Sequence, residues 1–119
     1  MGIDYGSAFT KAVLVVPGAG STLLRFDGGV ALSNAVFAGS GELLVGAAAW
    51  HRAVDDPEGL VPCPLQAGDS PVRVGGVDVD PAELAAATLR RVVQEAASLA
   101  GAPVADVRMV VAAGWGPRR

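Results

Sequence analysis

The sequence contains few of the residues that mark specialised sites. It has a single cysteine, Cys63, so neither an intramolecular disulfide nor a cysteine-based zinc site is expected. Its net charge is −3, and its only basic pairs are Arg90-Arg91 and Arg118-Arg119. A nucleic-acid-binding surface usually carries a basic patch. We therefore expect no nucleic-acid partner.

Long apolar runs are also missing. The stretch from Ala12 to Val16 is apolar but far shorter than the roughly 20 residues that cross a bilayer. The first residues show no basic segment followed by an apolar one, which a secretory signal would require. We expect no membrane partner and a cytoplasmic location, with which a lone thiol agrees.

What the sequence does contain is enough apolar material for a folded core. Of its 119 residues, 51% are hydrophobic and only 5% are aromatic, so the core is expected to consist mainly of small side chains. This length indicates one domain or part of one. The composition is too apolar for a disordered chain.

Residues 1–26 predict three strands. Met1–Asp4 forms a first strand, Tyr5–Ala8 a turn and Phe9–Val16 a second strand. The apolar run of the second strand does not alternate, which predicts burial on both faces. Pro17-Gly18 breaks this strand, and Leu23–Phe26 is predicted as the third.

The remainder predicts helices and further strands. Residues 46–54 read as a short helix, and the alternating segments of residues 72–79 read as a hairpin turning at Gly75-Gly76. Asp80 is a good N-cap for one long helix, with Pro81 at its first position. Its apolar face is predicted at helical spacing, and Gly101 and Pro103 end it. The members of that face are Ala85, Leu89, Val92, Ala96 and Leu99. Val107–Ala113 is a final predicted strand, followed by a turn at 114–117.

The segment Asp4–Lys11 carries the most chemistry. Gly6 lets the backbone approach a ligand, and successive N–H groups in such a turn form an anion site. Ser7 adds a hydroxyl donor, and Lys11 adds a charge from the next strand. A carboxylate beside phosphates needs a cation between them, so Asp4 implies Mg²⁺ held largely through water. An ordinary polar turn between two strands would look similar.

Other candidate residues are better explained structurally. His51 has no second histidine with which to bind a metal, and Cys63 has no visible base. Trp115 is expected to pack, and Asp55-Asp56 to lie in a solvated loop. No catalytic residue is assigned from the sequence.

The order of the motifs resembles the DnaK-type 70-kDa heat-shock chaperone family. Gly2–Ser7 with Lys11 is similar to the first phosphate loop of actin-like ATPases, which include sugar kinases. Residues 33–37 and 41–48 resemble the chaperone pattern of a proline-containing strand followed by spaced glycines. Residues 79–86 and 104–115 resemble its helix start and following strand.

This resemblance implies a fold, a ligand and partners. The fold would be α/β, ribonuclease-H-like, with a mixed sheet and one long helix, and residues 1–119 would form the N-terminal part of a nucleotide-binding domain. The cofactors would be ATP and Mg²⁺, with Asp4 as the magnesium-associated acid and Gly6, Ser7 and Ala8 as phosphate-loop positions. Lys11 is more similar to the phosphate-contacting lysine of actin and of larger chaperone relatives. Client proteins would be bound by further domains.

Several positions depart from the family pattern. Ala8 replaces its second loop threonine, Cys63–Asp69 lacks its catalytic lysine, and Ala112-Ala113-Gly114 lacks its proline. The family's second phosphate loop lies beyond residue 119, so we expect this chain alone not to hydrolyse ATP at a useful rate. Two alternatives stay open. A sugar-kinase-like phosphotransferase would show sugar-dependent ADP formation, and a degenerate actin-like interaction module would bind no nucleotide.

Overall fold

The computed structural model describes residues 1–16, 18, 20–39, 43–64, 71–74, 77–104 and 106–111. The described part of the chain contains strands, two α-helices and one 3₁₀ turn in the following order. The elements are β1 (Gly2–Tyr5), β2 (Phe9–Val16), β3 (Gly20–Leu23), β4 (Leu32–Ser33), β5 (Val36–Phe37), β6 (Leu44–Val45), α1 (Ala47–Ala53), the 3₁₀ turn (Pro57–Gly59), β7 (Leu60–Val61), β8 (Val72–Val74), β9 (Val77–Val79), α2 (Pro81–Ala100) and β10 (Arg108–Val111).

The main sheet is mixed and has the order β10-β1-β2-β3, with β4 also paired to β2. β1 and β2 are antiparallel because the short segment 6–8 joins them as a hairpin. β10 lies parallel to β1, which requires the intervening chain, including α2, to cross over the sheet. The expectation of an α/β chain with a mixed sheet is therefore confirmed. Its assignment to the actin-like ATPase fold is compatible with this topology and stays a prediction.

Burial on β2 alternates, so the prediction that both faces of this strand are covered is wrong. Ala12 and Leu14 are buried, whereas Lys11 and Val15 are exposed. The covered face packs against α2, and the described residues leave the opposite face open to solvent. The apolar run therefore forms a strand that is buried on one face only. The prediction failed because composition alone does not show whether a second layer covers the sheet.

The third strand lies earlier than predicted. Its register places Leu23 opposite Val13, and the main-chain N–H of Leu24 bonds to the Ala12 carbonyl at 2.9 Å. The chain then leaves the sheet, and the side chains of Leu24 and Phe26 enter the core. Their apolar character reflects this packing, which explains why a strand over 23–26 was predicted in the wrong place.

Helix α2 has the predicted bounds because strong local signals define both ends. The Asp80 carboxylate accepts a hydrogen bond from the Ala82 N–H at 2.9 Å, and Pro81 occupies the first position. Gly101 adopts the left-handed conformation, with φ 74°, that ends many helices. One predicted face residue, Leu99, is 56% exposed, because the last turn extends past the core.

Helix α2 connects two hydrophobic clusters. Leu84, near its start, packs with Val36, Val61 and Val74 of the smaller sheets. Val92 and Ala96, further along, pack against the covered face of the main sheet. The helix therefore holds the smaller sheets beside the main one.

The predicted hairpin is confirmed as β8 and β9, while its turn glycines lie outside the described residues, as do the predicted turn at 114–117 and Trp115.

The second sheet has the order β6-β5-β7 and is covered by α1. Phe37 is fully buried there with Ala49 and Ala53 of α1. The Phe37 ring lies directly against Gly59, so that a Cβ at this position would overlap the ring. The helix predicted at 46–54 is thus confirmed as α1. None of the described helices is both long and apolar enough to cross a bilayer.

Candidate phosphate-binding turn

The turn between β1 and β2 is tightly closed. The Gly6 N–H donates to the Phe9 carbonyl at 2.9 Å. A Cβ built on Gly6 would lie 2.9 Å from that same carbonyl oxygen, which is closer than side chains are normally found. Because the contact is with backbone, it cannot be relieved by rotating a side chain. This position therefore requires glycine. Glycine is also common where the backbone approaches a ligand closely.

A buried amide supports this turn from beneath. The Asn34 side chain donates from Nδ2 to the Gly6 carbonyl at 2.8 Å, and its main-chain N–H donates to the Ala8 carbonyl at 2.9 Å. The Thr10 hydroxyl in turn donates to Asn34 Oδ1. Both residues are completely buried. Sequence reasoning placed Asn34 only within a strand pattern and missed this contact, since no local signal indicates a partner 28 residues away.

The turn leaves backbone donors available for a ligand. Within the described part of the chain, the N–H groups of Ser7 and Ala8 have no acceptor, while the carbonyls of Gly6 and Ala8 are both engaged. Ser7 is exposed, so its hydroxyl adds a further donor on the same turn. Such a group of neighbouring donors is suited to an anion.

Asp4 and Lys11 flank the turn on one face of the sheet. The register places them directly opposite each other on β1 and β2, and both are exposed. Directly opposed residues of an antiparallel pair project to the same side. Neither takes part in an ion pair with another described residue. The structure thus brings together the acid, the glycine turn and the lysine singled out in the sequence.

Asp4 is an exposed carboxylate on β1. Among the described residues, no group of three or more His, Cys, Asp or Glu side chains could enclose a metal. A metal at Asp4 would therefore need further ligands from water or from a bound molecule. Mg²⁺ characteristically keeps several waters and uses one or two carboxylates together with phosphates. The donor set is compatible with that mode of binding.

A cavity of about 430 Å³ opens beside the turn at Ala8 and Phe9. Trp50 contributes to its lining and donates from Nε1 to the Ser33 hydroxyl at 3.0 Å. Asp27 also lines it, and its carboxylate is already engaged by the Ala47 N–H at 3.1 Å. The cavity is mostly apolar and lies against the turn, so we treat it as part of the same candidate site. His51 is exposed on α1 and does not line it.

The Tyr5 side chain is buried on β1, and its hydroxyl has no hydrogen-bond partner in the described structure. Burial raises the pKa of Tyr5 from 10.0 to about 12, and the charge of the nearby Cys63 thiolate acts in the same direction. The folded state therefore holds the neutral phenol over a range in which the unfolded chain ionises. Stability from this group is fully present below pH 10.0 and is lost as the pH rises toward about 12.

This behaviour is directly measurable, because Tyr5 is the only tyrosine in the chain. We expect tyrosinate absorbance of the folded protein to appear well above the ordinary pKa of 10.0. Tyr5→Phe should remove part of the alkaline loss of stability in denaturant titrations and leave neutral-pH stability unchanged or higher, because the hydroxyl has no partner. Ionisation at the ordinary pKa in the folded protein would contradict the burial argument.

Comparison with known proteins gives one partial similarity for this α/β chain. No protein-family model matches it. The chain is similar to chaperone protein DnaK of Picrophilus torridus, with 30% identity over 121 aligned positions. The alignment covers 95% of this chain and 20% of that protein, so the chain spans about one fifth of the length of this relative. The similarity is partial and agrees with the resemblance to the 70-kDa heat-shock chaperones.

Proposed function

We propose that residues 1–119 are the N-terminal portion of a DnaK-like nucleotide-binding domain and that the turn at Gly6–Ala8 binds the phosphates of ATP. The observation that carries the proposal is the turn itself. Its Gly6 and Ala8 carbonyls are engaged by Asn34, its N–H groups at Ser7 and Ala8 have no acceptor among the described residues, and Asp4 and Lys11 flank it. The similarity to chaperone protein DnaK along 95% of the chain favours this reading over a sugar kinase.

Each residue would make a distinct contribution to binding. The N–H groups of the turn and the Ser7 hydroxyl would donate to phosphate oxygens, and Lys11 would neutralise part of their charge. The Asp4 carboxylate would hold Mg²⁺ through water, and Mg²⁺ would supply the positive charge that lets a carboxylate lie close to phosphates. Positioning and charge stabilisation of this kind account for most of the catalysis in phosphoryl transfer.

A second candidate function is a non-catalytic interaction module with an actin-like fold. Two observations favour it. Ala8 carries no hydroxyl where the family has a threonine, and Lys11 is the only lysine in the sequence, so a loop lysine is missing between Cys63 and Asp69. Of that loop, only residues 63 and 64 are described. This candidate predicts that the turn binds no nucleotide.

The remaining expectations accompany the first proposal. The partner would be a nucleotide, and client proteins would be bound through other domains of a longer protein. We propose a cytoplasmic location and no nucleic-acid or membrane partner, in keeping with the acidic net charge of −3.

The test is a titration of the labelled 119-residue chain with Mg·ATP, followed by amide NMR. We expect the resonances of Gly6, Ser7 and Lys11 to shift together, and we expect the shifts to disappear when Mg²⁺ is chelated. Amides at the distant end of α2, such as Ser98, serve as internal controls and should stay in place. A well-dispersed spectrum in which nothing moves up to millimolar nucleotide would favour the interaction module.

A further inference from the structure

Asn34 contacts the candidate turn from its buried side. It is the residue that hydrogen-bonds both engaged carbonyls, through its side chain to Gly6 and through its main chain to Ala8. We propose that Asn34, held in place by Thr10, is a positioning residue that fixes the turn with the Ser7 N–H directed outward. The ligand part of this inference rests on the proposed phosphate site, whereas the positioning part concerns the turn alone.

The geometry of the peptide bond connects the inner contact to the outer donor. The Gly6 carbonyl and the Ser7 N–H belong to one trans peptide unit, so they point in opposite directions. Because Asn34 Nδ2 holds that carbonyl inward at 2.8 Å, the Ser7 N–H is directed away from the core. Rotating this peptide unit inward would break the bond and leave a buried amide unpaired. The outward orientation is therefore maintained before any ligand arrives.

The Gly6 carbonyl, which can only accept, determines which end of the Asn34 amide faces the turn. The Thr10 hydroxyl holds the other end in place by donating to Oδ1. With the amide reversed, Oδ1 would face the carbonyl oxygen, and two acceptors would meet. Both side chains are completely buried, so no water is available to compensate. Leaving a buried polar group unpaired costs more free energy than a typical hydrogen bond contributes, so the reversed orientation of the amide is disfavoured.

Thr10→Val is the sharpest test, because it removes the hydroxyl and keeps the shape of the side chain. Replacing Asn34 itself would open a cavity and leave the Thr10 hydroxyl unpaired, so that loss of the fold would be difficult to interpret. The chain offers a matched control in Thr88→Val. Thr88 is equally buried, on α2, and its hydroxyl has no partner in the described structure. Thr10→Ser restores the hydroxyl alone.

The first readout is amide hydrogen exchange without nucleotide at Gly6 and Asn34, relative to Val92 in the core as an internal reference. Loss of one buried hydrogen bond is expected to accelerate both amides about tenfold in Thr10→Val. Thr10→Ser should return them to near the wild-type rate, and Thr88→Val should leave them unchanged. Equal rates in Thr10→Val and Thr88→Val, or no recovery in Thr10→Ser, would overturn the positioning role.

The second readout is the Mg·ATP titration of the same variants. If the wild type binds, Thr10→Val is expected to weaken the affinity by about tenfold through the lost preorganisation, while Thr88→Val binds as the wild type does. Unchanged affinity in Thr10→Val would overturn the link between positioning and ligand. If the wild type shows no binding while the two turn amides still exchange faster in Thr10→Val, the proposed function fails and the positioning role stands.

Discussion

Asp4→Asn is expected to remove the Mg²⁺-dependent part of ATP binding while leaving the fold intact. The side chain is exposed on β1 and makes no ion pair with any described residue, so the substitution breaks no structural contact. It removes the charge that would hold the hydrated ion beside the phosphates. Changes at groups that act on a metal through its bound ligands typically reduce affinity by about 10–100-fold. Calorimetric titration with ATP, with and without Mg²⁺, measures the effect.

The matched control for this substitution is Asp78→Asn. Asp78 is also an exposed strand aspartate, but it lies on β9 in the separate hairpin and pairs with Arg73 at 3.0 Å. Loss of an exposed ion pair of this kind costs between about 0 and 1 kcal/mol and should not change nucleotide affinity. If both variants retain the wild-type Mg²⁺ dependence, Asp4 is not the magnesium-associated acid.

Phe37→Ala is expected to cause the largest loss of stability of any substitution considered for this chain. Its ring is completely buried between β5 and α1, against Ala49 and Ala53, and it fills the space left by Gly59. The Arg52 guanidinium lies over the ring at 5.4 Å from its centroid. Truncation of a buried phenylalanine costs about 3–5 kcal/mol, and a typical domain has only about 5–15 kcal/mol in total. Urea unfolding monitored by circular dichroism provides the measurement.

Phe9→Ala is the control for this prediction, because it makes the same change at a side chain that is 55% exposed. Its effect on the free energy of unfolding should be small, within about 1 kcal/mol. Similar losses in the two variants would show that Phe37 does not hold the second sheet and α1 together. Comparing the free energies of unfolding of the two variants also distinguishes a phenylalanine in the core, Phe37, from one beside the cavity, Phe9.

The parts of the fold that were predictable from the sequence are those with local causes. The long helix carries its own capping signals at Asp80, Pro81 and Gly101, and its bounds in the structure agree with them. The short hairpin of β8 and β9 was predicted from two alternating segments on either side of the Gly75-Gly76 pair. The placement of Asp4 near Lys11 also follows from a hairpin, because a short turn fixes which residues lie opposite each other.

Other features depend on contacts that no local pattern encodes. Leu24 and Phe26 are apolar because they enter the core, and only the register of β3 on β2 shows that they leave the sheet. The exposure of Val15 depends on whether a layer covers that side of the sheet. Asn34 is a polar residue in an apolar stretch, and its role becomes visible only when the fold brings it beneath Gly6. The roles of Asp4, Gly6, Ser7, Ala8 and Lys11 in binding stay predictions.

The parallel pairing of β1 with β10 has a consequence for the order of folding. β1 ends at the candidate turn. On one side it pairs with β10, where Gly2 lies opposite Arg108, which is separated from it in sequence by almost the whole described chain. Contacts between such distant residues form slowly, because a long loop must close first. During synthesis, the β1–β2 hairpin would leave the ribosome before residues 108–111, and β1 would lack this neighbour until they emerge. The outer edge of β1 would meanwhile expose unpaired backbone groups, a state in which association with another strand competes with folding.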